Sequence, residues 1–173
     1  MRDFGPLAMT QEELDVFLAG TPPTPCYATV SSLRADGSPI GVPLGYLYED
    51  GWIYFSMNPE TSGTKRIRRD PRVCLAVYND HYPVKFAIIA GRAEVYDDPG
   101  HELERRKFMR NMGHVGAEMD LDEYFQLHEQ GGRVVFRVRV AAGEVASMDA
   151  DKARDPRTGA MRGAEAVRAD DDG

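Results

Sequence analysis

The chain has 173 residues, 42% of them hydrophobic, enough to fill one compact core. Lys and Arg number 21 against 28 Asp and Glu, a formal charge of −7, so global electrostatic binding to nucleic acid or anionic lipid is excluded. No apolar run approaches the roughly 20 residues that span a bilayer. Residues 1–6 hold no secretory apolar stretch, and the only cysteines, Cys26 and Cys74, are far apart with no CxxC, so a cytoplasmic protein without disulfides or a metal centre is expected.

The first predicted element is a helix over Thr10–Ala19. Thr10 and Glu13 have capping-box spacing, and Leu14, Phe17 and Leu18 recur at helical period. Pro22, Pro23 and Pro25 then impose an extended connector. Cys26–Leu33, Ile40–Tyr48 and Trp52–Met57 read as an antiparallel meander, turned at Asp36-Gly37 and at Asp50-Gly51. A short helix is expected over Thr64–Arg69. A strand over Val73–Tyr78 is apolar enough to be buried on both faces. A long strand over Val84–Tyr96 carries Gly91 as a bulge or bend. Helices over Asp98–Met112 and Asp120–Gln130 follow, each opened by a capping Asp. The sixth and last strand, Arg133–Met148, alternates Val and Phe with Arg137 and Arg139, so its second face calls for a partner. The pattern stops at Asp149, which makes 1–148 one domain and 149–173 a flexible tail. Six antiparallel strands with peripheral helices fit a mainly β fold, a small split barrel, and not a doubly wound sheet.

Common catalytic signatures are missing. The chain has no GxGxxG, no phosphate-binding Gly-x4-Gly-Lys-Ser/Thr, no Gly-x-Ser-x-Gly and no HExxH. Two segments stand out instead. Thr61 to Arg72 holds five basic residues against one acid inside an acidic chain, with the hydroxyls of Thr61, Ser62 and Thr64 at a helix start. Hydroxyls, unsatisfied N–H groups and cations at a helix N-terminus suit a phosphate, although Arg68 and Arg69 equally suit the helix dipole at its other end. The second is Pro39 to Tyr46, where Pro43 makes the strand edge-like and Gly41 and Gly45 allow a flat ligand close to the backbone, or simply a barrel corner.

The order Ala28-Thr29-Val30, Asp36-Gly37-Ser38-Pro39, Val42-Pro43-Leu44 and Gly51 to Ser56 resembles the first half of the pyridoxamine-phosphate-oxidase-like split-barrel family. Ile67 to Val73 is similar to that family's turn into the next strand, and Gly91-Arg92-Ala93-Glu94-Val95 to the strand after it. The resemblance spans Thr10 to Met148. It implies a homodimer with flavin-type cofactors in clefts between subunits. The family includes FMN enzymes and reductases that use the deazaflavin coenzyme F420.

By that resemblance, Val42, Pro43 and Leu44 line the tricyclic ring, Phe55 and Ser56 end the strand beneath it, and Thr61, Ser62, Thr64, Lys65 and Arg66 hold the phosphate. Gly63 stands where many relatives carry a basic residue. Vitamin B6 oxidases carry a Trp-containing, Arg-rich C-terminal segment, and here Trp52 is the only tryptophan, which disfavours that reaction. The expected function is hydride transfer to or from a small organic substrate, with F420 preferred and FMN the alternative. Tyr46, Tyr78 and Lys85 are the candidates for proton donation. The competing reading is a non-enzymatic cofactor or haem binder, with His81 as the haem ligand.

Overall fold

The computed structural model describes residues 4–21, 24, 26–79, 81, 83–112, 123, 125, 126, 132–154 and 157. Helix α1 (Gln11–Ala19) opens with both hydrogen bonds of the Thr10–Glu13 capping box and buries Leu14 and Leu18. Strands β1 (Tyr27–Leu33), β2 (Pro39–Glu49) and β3 (Trp52–Met57) form the expected meander. Asp50 and Gly51 both take positive φ, 52° and 76°, as a two-residue hairpin loop with the strands' right-handed twist requires.

Helix α2 (Ser62–Arg69) starts two residues earlier than expected, because Thr61 caps it by accepting from the Thr64 N–H. Strands β4 (Arg72–Tyr78), β5 (Lys85–Arg92) and β6 (Glu94–Tyr96) follow, then α3 (Glu102–Met112), β7 (Val134–Arg139) and β8 (Val145–Asp149). Asp98 serves α3 from a distance: a 3-10 turn at Pro99–His101 intervenes, yet its carboxylate accepts from the Leu103 and Glu104 N–H groups at 3.0 Å.

The eight strands form one antiparallel sheet in the order β6-β7-β3-β2-β1-β4-β5-β8. Eight replace the expected six because two long runs break. The first breaks at buried Ala93, whose N–H leaves the ladder for the Pro71 carbonyl. The second breaks over residues 140–144, where Gly143 at φ 87° turns the chain so that β8 reaches β5. The sheet curls into a half-barrel. Its sign is Gly91, which pairs in regular register with Val73 of β4: a Cβ there would meet Val138 Cγ1 at 2.9 Å, so β5 and β7 touch across the curl although they are not neighbours in the sheet.

The core inside the curl collects Val30, Tyr46, Ile53, Phe55, Leu75, Ile89 and Phe136, closed by Leu14 and Leu18 of α1. Two expectations about strand faces change. β4 buries only Val73, Leu75 and Val77, while Tyr78 on its other face is 65% exposed. The second face of β7 is covered within the chain: Arg137 and Arg139 stack on Trp52, and Arg137 pairs with Glu94 at 3.0 Å.

The ordered chain also passes the expected boundary at 148. Asp149 ends β8, Ala150–Ala153 make a 3-10 turn, and Lys152 pairs with Glu13 of α1. The rest of the expected tail lies outside the described residues, Arg157 apart, as does most of the helix expected over Asp120–Gln130. Among the described residues no helix is long and apolar enough to cross a membrane.

Candidate functional site

The site arises from a mismatch in strand pairing. β2 pairs with β1 over Pro39–Gly45 but with β3 only over Tyr46–Glu49. The N-terminal half of β2 therefore has no strand neighbour on its other side, and the sheet splits there. Into the split opens a cavity of about 560 Å³, within the size range of small-molecule sites. Its walls are Val42, Leu44 and Gly45 of β2, Ser56 and Met57 at the end of β3, the start of α2, and Lys107, Phe108 and Asn111 of α3.

At the α2 end, the Thr64 N–H is capped by Thr61 Oγ1 and the Lys65 N–H bonds the Thr61 carbonyl. The Ser62 and Gly63 N–H groups, at the first two helical positions, have no partner within the helix by geometry. Arg66 turns into the cleft, donating to Ser62 Oγ at 2.9 Å and to Ser32 Oγ at 3.4 Å. At the other end, Glu104 and Lys107 are almost wholly buried. Lys107 Nζ donates to Ser56 Oγ and to Glu104 Oε1 (3.0 Å), while Arg133 approaches Glu104 at 3.6 Å. Burial pulls the Lys107 ammonium below the ordinary lysine range, against the opposing pull of Glu104. Three cations against one carboxylate leave this cleft positive inside a chain of charge −7.

A family model described as pyridoxamine 5'-phosphate oxidase matches residues 11–146. The chain belongs to that family. No curated protein matches the sequence. Solved structures share the fold. A conserved hypothetical protein from Mycobacterium tuberculosis is 21% identical with a TM-score of 0.70, over 88% of this chain and 92% of its own. An F420 reductase is 18% identical, TM-score 0.59, over 75% and 93%. An FAD- and haem-binding protein from Mycobacterium smegmatis is 13% identical, TM-score 0.59, over 81% and 71%.

Of the residues that the oxidase-family resemblance singled out, Val42, Leu44, Ser56, Thr61, Ser62 and Arg66 border the cleft. Four do not. Pro43 is exposed on the opposite face of β2, as strand alternation demands. Phe55 is wholly buried, stacked on Phe136 in the core. Thr64 is equally buried and spends its hydroxyl on the Asn58 carbonyl at 2.7 Å. Lys65 lies outside the cleft and pairs with Glu60 at 3.1 Å. Gly63 has a local reason: a Cβ there would meet Met57 Cε at 2.1 Å and Arg66 Nη2 at 3.6 Å. The Met57 side chain and the Arg66 guanidinium hold the space that a basic residue at 63 would enter.

The proton-donor candidates lie elsewhere. Tyr46, Tyr78 and Lys85 line a second cavity of about 520 Å³, together with His81, between α1 and the β4–β5 end of the sheet. Tyr46 donates to the Leu18 carbonyl at 2.9 Å, and burial pushes its phenol far above the usual range. Lys85 pairs with Asp149 at 2.7 Å. The residues that sequence reasoning missed are Glu104, Lys107 and Asn111. Their signal was available: spaced i, i+3 and i+7, they share one face of a helix that looked uniformly charged. Asn111 fastens that helix to the sheet, accepting from the Cys26 N–H at 2.6 Å and donating to the Tyr46 carbonyl at 2.9 Å.

Proposed function

We propose that the chain is a flavin-type oxidoreductase that moves a hydride to or from a small organic molecule, with coenzyme F420 preferred over FMN. The observation that carries this reading is the split cleft itself, with an open strand edge at one wall and a cationic helix start at its end. The coenzyme would supply the hydride chemistry, and the protein binds, orients and excludes water.

The residues present fit such a group. The unpaired edge of β2 offers backbone donors and acceptors to a planar heterocycle. Val42, Leu44, Met57 and Phe108 give it apolar walls. The Ser62 and Gly63 N–H groups, the Ser62 hydroxyl and Arg66 suit a phosphate. Exposed Arg68 and the other cations of the Arg66–Arg72 run favour the deazaflavin, whose tail is acidic. His81, the candidate haem ligand, lines the second cavity and not this cleft, which favours this reading over a haem binder.

The active form in this reading is a homodimer. Its support is the outer sheet face, where Tyr27, Tyr78, Val84 and Ile88 are exposed apolar side chains at 52, 65, 45 and 36%. Absorbance and mass of the ligand released from protein purified from its native source test the function. A deazaflavin or flavin is the expected result, and a Soret band or an empty cleft counts against it.

A further inference from the structure

The buried pair at the α3 end of the cleft has more machinery than a structural ion pair needs. Lys107 Nζ makes two of its three hydrogen bonds, to Ser56 Oγ and to Glu104 Oε1, with Glu104 Oε2 at 2.9 Å. Ser56 accepts from that ammonium, so its own O–H has no acceptor among the described residues. Both side chains border the cavity. Arg133 Nε is buried without a hydrogen-bond partner among the described residues, 3.6 Å from Glu104 Oε1. Buried polar atoms left so are costly unless a ligand or water completes the set. A well-packed apolar trio would hold α3 to β3 at lower cost.

We infer that Lys107, acting through the Ser56 hydroxyl, is the proton donor of the cleft. The inference rests on the coenzyme reading above. The reduced coenzyme, when bound, would supply a hydride to the β-carbon of an enone-type acceptor and would be left oxidised. A C–H bond forms there, and the π electrons move to the carbonyl oxygen. The Ser56 hydroxyl gives its proton to that oxygen and takes one from Lys107 Nζ, which is left as a neutral amine and regains its proton from solvent. Glu104 and Asp98 favour the charged ammonium, and Arg133 and burial oppose it. Those opposed influences place the donor nearer to working pH than an exposed lysine, which suits general acid catalysis.

The chain has four lysines, Lys65, Lys85, Lys107 and Lys152, so 13C-lysine labelling gives four side-chain signals, and Lys107→Met assigns one. In coenzyme-free protein the Lys107 signal is expected to titrate below the ordinary lysine range. FMN or F420 should shift it and leave Lys85 and Lys152 in place. Single-turnover oxidation of the reduced FMN- or F420-loaded protein by 2-cyclohexenone then reads the role. At saturating coenzyme, Lys107→Met and Ser56→Ala should each slow it about a hundredfold and abolish the fall in rate as pH rises through the Lys107 titration. Because Lys107→Met strands Glu104, the pair Glu104→Gln with Lys107→Met repeats the test without a buried lone carboxylate. Normal coenzyme binding with a wild-type rate in these variants, or a Lys107 signal that titrates in the ordinary lysine range, overturns the inference alone. A wild-type protein that binds neither coenzyme overturns the reading of the cleft, and the inference with it.

Discussion

Arg66 and Lys65 are adjacent cations with opposite fates, and their difference is the sharpest residue-scale consequence of α2 starting at Ser62. Arg66 points into the cleft against Ser62 and Ser32, while Lys65 sits on the far side against Glu60. A charge-assisted hydrogen bond is worth about 1.5–3 kcal/mol. Arg66→Ala should therefore weaken coenzyme binding by about ten- to a hundredfold. Lys65→Ala should leave affinity unchanged, since an exposed ion pair contributes little. Fluorescence titration of both variants checks this, and equal losses would mean that the phosphate lies outside the cleft. The sequence showed a basic cluster here but not which member faces inward. That depends on the helix register, which Thr61 sets by capping a helix that starts two residues earlier than expected. Lys107 was hidden for a related reason: a charged residue on a charged helix reads as solvated until α3 is docked on β2 and β3.

At the scale of elements, local signals carried far. The capping box of α1, the Asp-Gly hairpins and the β1–β2–β3 meander were legible because turn and cap chemistry is local. The breaks at Ala93 and at 140–144 were not, because each depends on a distant strand: Ala93 bonds to Pro71, and β8 exists only by pairing with β5. The clamp between α1 and the segment after β8 was equally hidden, and it has a pH signature. Lys152 holds the Glu13 carboxyl at about 2, below its usual 4.5, chiefly through its hydrogen bond. A depressed folded-state value contributes stability above the unfolded value and loses it as pH falls through the folded one. The melting temperatures of wild type and Glu13→Gln should thus differ at pH 6 and converge between about pH 4 and 2. A gap that persists at pH 2 would show that the pair does not act through this ionisation.

The whole molecule is a curled eight-stranded sheet whose inner face is a core and whose outer face is partly bare. In the sequence, the strand that calls for a partner is Arg133–Val140. Trp52 and Glu94 satisfy Arg137 and Arg139 within the chain. The bare face lies on β1, β4 and β5, around Tyr27, Tyr78 and Ile88. Sedimentation should find a dimer at micromolar concentration, and Ile88→Glu should yield a folded monomer. A wild-type monomer with the sheet intact would remove the dimer from the account.

In the proposed function, the split between β2 and β3 is the coenzyme site. Val42 lines it, and a larger side chain there fills it from the side of the unpaired strand edge. The most direct measurement is the dissociation constant of FMN and of F420, read by coenzyme fluorescence, for wild type and Val42→Trp. Wild type should bind at least one coenzyme with micromolar or tighter affinity, and Val42→Trp should lose that binding with an unchanged melting temperature. Equal affinity in the two proteins, or no binding of either coenzyme by wild type, would contradict that assignment.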